Sequence, residues 1–173
     1  MSRHLLIMRH AKSAWDTGAA TDFERPLSGR GRRDAPRMGA WLRTQGLRPD
    51  LVLSSPAARA SKTAFLICKE LDIPRQEINW DERIYGAGPS DLLGILGEQP
   101  RHADRVLLVG HNPGMEELLC YLWGDATRLP PDGKLMPTAA LAHLAMPDDW
   151  TKLHYGCARL RSLIRPKELG HTE

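Results

Sequence analysis

The sequence contains few cysteines, and the three that it has are far apart. Cys68, Cys120 and Cys157 form no C-x-x-C pair, so neither a zinc-binding ribbon nor a dithiol redox motif is expected. Cys68 and Cys120 lie in apolar, helix-like stretches, where buried reduced thiols are the usual outcome. Because disulfides are rare in reducing compartments, this pattern predicts a cytoplasmic protein.

Long hydrophobic runs and a strong charge imbalance are also missing. The longest apolar run near the start, Leu5–Met8, is far shorter than the ~20 residues of a membrane-spanning helix, and we find no targeting segment. Lys and Arg number 24 against 21 Asp and Glu, a net charge of +3. That excess is too small to predict a nucleic-acid or membrane partner. The basic run from Arg30 to Arg37 is interrupted by Asp34 and indicates a solvated helix face.

The remaining composition is that of an ordinary globular protein, with 42% hydrophobic and 26% charged residues. A chain of 173 residues is expected to form a single domain spanning 1–173. A domain of that size buries roughly 70% of the surface of its unfolded chain. A core without metal or disulfide support is therefore expected.

Short apolar runs alternate with stretches of helical spacing along the chain. Strands are predicted at 5–8, 51–53, 78–84, 105–109, 139–146 and 158–164. Helices are predicted near 33–45, 57–71 and 90–96, and from Gly114 through Trp123. A Pro-rich loop is predicted at 126–138. This alternation predicts an α/β fold, a three-layer α/β/α sandwich with a mostly parallel central sheet.

Basic residues follow three of the predicted strands. Arg9 and His10 come after the first strand, Arg59 lies just inside the helix that follows the second, and His111 follows the strand at 105–109. Glu82 lies at or near the end of a fourth. In open α/β sheets, ligands bind in the crevice beyond the carboxyl ends of the strands. These side chains are therefore expected to form one site.

The residue types at this site favour a phosphate ligand. Two guanidinium groups and a helix N-terminus bind such an anion well. A neutral imidazole beside the phosphorus can attack it to form phosphohistidine, and neighbouring arginine charge keeps His10 neutral. His111 would then stabilise the developing charge on the phosphoryl oxygens, a role that metals have elsewhere. No carboxylate or His/Cys cluster suits Mg²⁺ or Zn²⁺, so neither a metal nor another cofactor is expected.

Four motifs between residues 5 and about 123 carry a wider resemblance. They are Leu5–Ala11, Arg25–Ser28 followed by Gly31, Ser54–Arg59 with Thr63–Ala64, and Val109–Pro113. In order and spacing they resemble the histidine phosphatase superfamily, which has the phosphoglycerate-mutase-like fold. More narrowly, the chain is similar to the small SixA-type phosphohistidine phosphatases.

The resemblance implies roles for individual residues. It makes His10 the nucleophile and Arg9, Arg59 and His111 the phosphate pocket. It also implies that Arg25 and Asn112 contact the substrate, although Asn112 and Pro113 could simply start a helix. Arg59 likewise has a structural alternative, because an arginine in a first helical turn often caps the helix or pairs with a carboxylate.

Two features of the sequence depart from the family pattern. Ala11 replaces the usual Gly after Arg-His, and its methyl group limits φ, which predicts a small shift in phosphate geometry. Larger relatives carry insertions that cover the site and supply a general acid, for which this chain has no room. An open pocket is therefore expected, with Glu82 as the candidate acid. Alternatively, Asp81 and Glu82 simply flank a solvated strand end.

Three functions are compatible with these residues. The favoured one is a phosphatase, working through phosphohistidine on His10, that acts on phosphohistidine in a protein. The second is a phosphatase of a small phosphorylated metabolite, and the third is a catalytically silent binding module. A silent module is disfavoured because every motif residue is present, and a mutase is disfavoured because it needs a closed site.

The other histidines share no spacing and are expected at the surface or in packing: His4, His102, His143, His154 and His171.

Overall fold

The computed structural model describes residues 2–15, 17–125 and 132–170, which include a six-stranded sheet. Its strands are β1 (Arg3–Arg9), β2 (Leu51–Ser54), β3 (Ile78–Trp80), β4 (Arg105–Gly110), β5 (Leu141–Met146) and β6 (Arg159–Ile164). Their spatial order is β3-β2-β4-β1-β5-β6. The first four strands in this order pair in parallel, whereas β5 is antiparallel to both β1 and β6. The sheet is therefore mostly parallel, as predicted.

In the described part of the chain, four α-helices cover the two faces of the sheet: α1 (Gly29–Thr44), α2 (Ala58–Glu70), α3 (Pro89–Gly97) and α4 (Gly114–Trp123). Leu6 and Met8 of β1 pack into a core with residues of α1 and α2. Leu5 and Ile7, which point to the other face, pack with residues of α3 and α4. The continuous apolar run at the start of the chain thus reflects burial on both faces, and the predicted three-layer sandwich is confirmed.

Two predicted boundaries are wrong by about one helical turn or more, and the others lie within two residues of the structure. Helix α1 begins at Gly29 rather than near residue 33, because the Ser28 hydroxyl accepts a hydrogen bond from the Gly31 N–H at 3.1 Å and caps the helix. The strand predicted at 78–84 ends at Trp80. There the Asp81 carboxylate accepts from the Arg83 N–H at 3.0 Å and starts a 3₁₀ turn, Glu82–Ile84. Part of the predicted loop at 126–138, namely 126–131, lies outside the described residues.

The strand order brings three strand ends together. Strand β4 lies between β1 and β2, so the residues that follow these three parallel strands are neighbours at one edge of the sheet. Backbone hydrogen bonds extend this contact past the strands. The His10 N–H donates to the Gly110 carbonyl at 2.9 Å, and the Ser55 N–H donates to the Val109 carbonyl at 3.0 Å. Within the described ranges, no helix is long and apolar enough to cross a membrane.

Candidate active site

His10 is a buried imidazole whose hydrogen bonds define which nitrogen carries the proton. Its Nδ1 lies 2.7 Å from the Ala11 carbonyl oxygen, and a carbonyl oxygen can only accept. Nδ1 is therefore protonated, and Nε2 of the neutral ring holds a lone pair. The Arg59 Nε–H points to this Nε2 at 3.4 Å. The ring is only 7% exposed, so its reactive nitrogen faces protein cations rather than bulk water.

The environment of His10 strongly disfavours a second proton. Burial is the main cause that lowers its pKa to about 3, and His111, Arg59 and Arg9 lower it further, while the bond to Ala11 acts in the opposite direction. The ring is therefore neutral and nucleophilic near pH 7. From the sequence this state is expected because of the arginines, whereas in the structure burial makes the larger contribution to the lowered pKa.

His111 lies beside His10, with ring centroids 5.1 Å apart. Its Nε2 is 2.8 Å from the Ser55 hydroxyl oxygen, which also accepts from the Ala57 N–H at 3.2 Å. When Ser55 gives its own proton to Nε2, the His111 proton resides on Nδ1. This nitrogen is buried and has no hydrogen-bond partner within the described residues. Burial, followed by Arg59, lowers the pKa of His111 to about 4, so the ring is a neutral donor.

Arg9 and Arg59 place two guanidinium groups at the histidine pair. Arg9 donates through Nη1 to the Met136 carbonyl at 3.1 Å, and its buried Nε has no partner in the described part of the chain. Arg59 is 7% exposed and donates from Nη1 and Nη2 to the carbonyl and carboxylate of Asp22, at 2.7 and 2.9 Å. The carboxylate pairing considered as an alternative for Arg59 thus coexists with its contact to His10.

Asp22 is a site residue that sequence reasoning missed. Besides Arg59, its carboxylate accepts from the Tyr85 hydroxyl at 2.7 Å and from Arg25 Nη1 at 2.9 Å. These bonds, with Tyr85 first, hold the pKa of Asp22 far below its usual range. The Tyr85 ring in turn stands edge-on to His111, with centroids 5.3 Å apart. Asp22 therefore connects Arg59 to the aromatic wall of the site. Its only signal in the sequence is its position three residues before Arg25.

Arg25 fixes the loop that carries Asp22. Its Nε donates to the Ala14 carbonyl at 3.3 Å, its Nη2 donates to the Ser13 hydroxyl at 2.6 Å, and its guanidinium lies 3.5 Å from the Trp15 ring centroid. Together with the bond to Asp22, all three nitrogens are engaged. The structure thus gives Arg25 a positioning role, and the substrate contact implied by the resemblance stays a prediction.

Asn112 and Glu82 differ in their relation to this site. Asn112 donates through Nδ2 to the Met136 carbonyl at 2.9 Å, the same carbonyl that Arg9 contacts, and to Glu116 at 3.2 Å. It therefore lies beside Arg9. Glu82 is exposed in the 3₁₀ turn after β3, and its side chain makes no hydrogen bond to a site residue among the described residues. The proposed role of Glu82 as an acid stays a prediction.

Two motif residues hold the backbone next to His10. The Thr63 hydroxyl accepts from the Ala11 N–H at 3.0 Å. A Cβ atom at Gly31 would collide with the carbonyl oxygen of Lys12, so only glycine allows the loop to approach α1 this closely. Ala11 itself does not have a positive φ, and its methyl group is buried in the core, so the substitution for glycine introduces no backbone strain.

Comparisons with known proteins agree with this geometry. Residues 5–88 match the histidine phosphatase superfamily, branch 1. An uncharacterized protein of Mycobacterium tuberculosis is 36% identical over 164 residues, covering 92% of this chain and 100% of that protein. A 2,3-bisphosphoglycerate-dependent phosphoglycerate mutase of Chelativorans sp. is 29% identical over 139 residues, and the alignment spans 60% of the mutase.

Two solved structures, both assigned to the phosphohistidine phosphatase SixA, are similar over nearly the whole chain. The one from Nakamurella multipartitia has a TM-score of 0.82 and 27% identity, covering 95% of this chain and 96% of that one. The one from Agrobacterium tumefaciens has a TM-score of 0.79 and 30% identity, covering 96% and 100%. These relatives support a phosphatase activity. The chain belongs to the histidine phosphatase superfamily and is of its SixA type.

Proposed function

We propose that this protein is a metal-independent phosphatase that removes the phosphoryl group from phosphohistidine in a protein substrate. The observation that carries the proposal is the state of His10, whose Nε2 lone pair lies next to Arg59 in a ring that burial keeps neutral. Such a nitrogen is a ready nucleophile for phosphorus. The similarity to SixA structures supports the choice of phosphohistidine as the substrate class.

The reaction has two steps. His10 Nε2 attacks the phosphorus and forms a P–N bond, while the P–N bond to the substrate histidine breaks and the departing imidazole nitrogen takes a proton from water. Water then attacks the phosphorylated His10, giving inorganic phosphate and free His10. Arg9 and Arg59 compensate the charge of the phosphoryl oxygens, and His111 donates to one of them through Nδ1. These groups supply the charge that a metal supplies elsewhere.

The exposed rim of the site supports a protein as the carrier of the phosphohistidine. Trp15 is 69% exposed, and Phe23 and Tyr85 are each 38% exposed. Tyr85 borders His111, Phe23 packs edge-on against Tyr85, and Trp15 lies on Arg25. Exposed apolar rings are common in protein–protein interfaces, where aromatic side chains are enriched. Such a rim suits a histidine that is presented on the surface of a partner protein.

The cytoplasm is part of the proposal. Cys68, Cys120 and Cys157 are all free. Burial raises the pKa of Cys68 to about 12, so this thiol stays protonated and unreactive at neutral pH. Free cysteines in a chain that needs no disulfide suit a reducing compartment.

The proposal is tested with a substrate panel in which phosphate release is followed. The panel contains a carrier protein phosphorylated on histidine, an aryl phosphate and an alkyl phosphate, each assayed with and without EDTA. We expect the phosphohistidine protein to be the best substrate and EDTA to have no effect. If a divalent ion restores activity lost in EDTA, the metal-independent mechanism is wrong. If an alkyl phosphate is the best substrate, the enzyme is a phosphatase of small metabolites.

Glu82→Gln separates these outcomes further, because the two leaving groups differ in their need for a proton. An imidazole departs with a proton from water, whereas an alkoxide needs a general acid, whose help is worth roughly 10²–10⁴-fold. We therefore expect Glu82→Gln to leave phosphohistidine and aryl phosphate hydrolysis nearly unchanged and to slow alkyl phosphate hydrolysis markedly. An equal loss with all three substrates would show that Glu82 acts on the phosphoryl group or on folding.

A further inference from the structure

A groove with an excess of cations lies next to the phosphate pocket. It has a volume of about 470 Å³, and its charged lining consists of Arg9, Lys12, Arg30, Lys134 and Glu116. We call it the basic groove. Because Arg9 lines the groove and also belongs to the phosphate pocket, a ligand in the groove would lie directly beside a phosphoryl group bound at His10.

Most of the positive charge in the basic groove is available to a ligand. Among the described residues, neither Lys12 nor Lys134 has a hydrogen-bond or ion-pair partner for its ammonium group. Arg30 has a contact to Asp34 at 3.5 Å, but its side chain is 62% exposed, and such surface pairs are weak. The single carboxylate of the lining, Glu116, already accepts a hydrogen bond from Asn112. The groove therefore attracts an anion.

Lys12 and Arg30 belong to backbone segments that are held by several contacts. The Lys12 carbonyl accepts from the Ser28 N–H at 2.8 Å and from the Ser28 hydroxyl at 3.1 Å. Gly31 allows the same carbonyl to approach α1 closely, and Arg30 lies in the first turn of that helix. Lys12 follows His10 by two residues, so its position relative to the nucleophile is fixed by the fold rather than by a flexible loop.

We propose that the basic groove binds an Asp or Glu side chain located next to the phosphohistidine of the protein substrate. This inference rests on the proposed function and names a feature of its substrate. The exposure of Arg30 and Lys12 favours a side chain on a protein surface, because small ligands usually have 70–90% of their surface enclosed by their site. Interactions of exposed charges act mainly on association and affinity, so the acidic residue should lower KM.

The test uses two peptides that carry phosphohistidine and differ only in their flanking residues, Glu in one and Gln in the other. Wild-type protein is expected to prefer the Glu peptide by about tenfold in kcat/KM, mostly through KM, since two exposed cations each contribute a few-fold. The double variant Lys12→Glu, Arg30→Glu should lose or reverse this preference, and added salt should weaken it in the wild type. Lys12→Arg, which keeps the charge, should retain it.

Lys69→Glu is the matched control. It makes the same change of charge as either single substitution of the double variant, in the last turn of α2 and about 15 Å along the helix axis from Arg59. We expect this variant to retain the preference for the Glu peptide. Circular dichroism of each variant confirms that the exposed substitutions leave the fold intact.

The outcomes separate the inference from the proposed function. Equal kcat/KM for the two peptides in the wild type, with phosphate released from both, overturns the inference and leaves the proposed function standing. A preference that survives in the double variant also overturns it. If the wild type releases no phosphate from either peptide or from free phosphohistidine, the proposed function fails, and the inference fails with it. If the double variant changes kcat/KM only for small carboxylated phosphate esters and not for the peptides, the groove binds a metabolite. That result overturns the peptide assignment.

Discussion

Two pairs of histidines, at opposite ends of the sheet, have the same spacing but different surroundings. His10 and His111 follow the carboxyl ends of β1 and β4, and their ring centroids are 5.1 Å apart. His4 on β1 and His143 on β5 have ring centroids that are also 5.1 Å apart. In both pairs, burial is the main cause of a lowered pKa.

The pairs differ in what their ring nitrogens contact. His4 Nδ1 and His143 Nε2 are 2.9 Å apart, so one ring donates a hydrogen bond to the other. In the His10–His111 pair, each ring is instead oriented by a third group, the Ala11 carbonyl for His10 and the Ser55 hydroxyl for His111. The other nitrogen of His10 then accepts from Arg59 Nε at 3.4 Å, and that of His111 is buried without a hydrogen-bond partner among the described residues. Neither proximity nor a lowered pKa is therefore sufficient to indicate a site; the contact between an imidazole nitrogen and an arginine is more informative.

The largest expected effect distinguishes the two pairs directly. His10→Ala removes the nucleophile, so turnover should fall to background with phosphohistidine and aryl phosphate substrates alike, and no acid-labile phosphoenzyme should form. His143→Gln, which keeps a hydrogen-bonding group next to His4, should retain kcat within about threefold. Rapid-quench labelling with a radioactive phosphoryl donor measures both. A labelled phosphoenzyme in the His10→Ala variant would exclude His10 as the nucleophile.

The next largest effect is expected from substitutions of the hydrogen-bond donors and cations around the two histidine pairs. Arg59→Ala and His111→Ala should each lower kcat by about 10²–10³, the usual loss for one preorganised donor to a developing oxyanion. Arg161, a cation that influences the His4–His143 pair, provides the comparison, and Arg161→Gln should leave kcat unchanged. Steady-state kinetics with an aryl phosphate measures all three variants. Near-wild-type kcat in either of the first two would assign that residue a purely structural role.

The smallest expected effect is on stability, and it involves both pairs. The folded-state pKa values of His10, His111 and His143 are about 3, 4 and 4, below the ~6.5 of an unfolded chain. Between pH 6.5 and 4 the unfolded chain therefore binds more protons, and the free energy of unfolding should decrease as the pH falls. Above pH 7 it should be nearly constant. Each group contributes at most about 1.4 kcal/mol per pH unit.

His143→Gln sharpens this test because it removes one proton-binding group and leaves His10 and His111 unchanged. Urea unfolding at several pH values should show a shallower decrease for this variant than for the wild type, with equal pH dependence above pH 7. His102→Gln, at an exposed histidine, serves as the control and should follow the wild-type slope. Identical slopes for His143→Gln and wild type would contradict burial of a neutral His143.

The sequence predicted the part of the site that depends on strand ends. Arg9 is the last residue of β1, and His10 and His111 directly follow β1 and β4. Such positions can be read from an apolar run and the topology of a parallel sheet. Asp22 could not be found in this way. Its contacts with Arg59 and Tyr85 join a loop, the start of α2 and the turn after β3, and no local periodicity encodes contacts across three separate segments.

The boundary errors have a local cause. Gly29 and Gly31 have low helix propensity, which favours a later start of α1 in any prediction from sequence. In the fold, the Ser28 cap and the close approach of the Lys12 carbonyl to Gly31 outweigh that preference. In the segment 78–84, the predicted strand competes with a 3₁₀ turn that the Asp81 carboxylate caps. Its hydrogen bond from the Arg83 N–H favours the turn, so the strand ends before the apolar pattern does.

The close approach of Lys12 to Gly31 has a consequence for how proteins of this architecture diversify. The segment that carries His10 packs closely against the first turn of α1, so a shift of one would displace the other. Adaptation to a new substrate by movement of this backbone would disturb the position of His10. Exchange of the exposed side chains at positions 12 and 30 leaves that position intact. Substrate selectivity in such proteins can therefore change by single substitutions of exposed side chains, while the backbone stays the same and no segment is inserted.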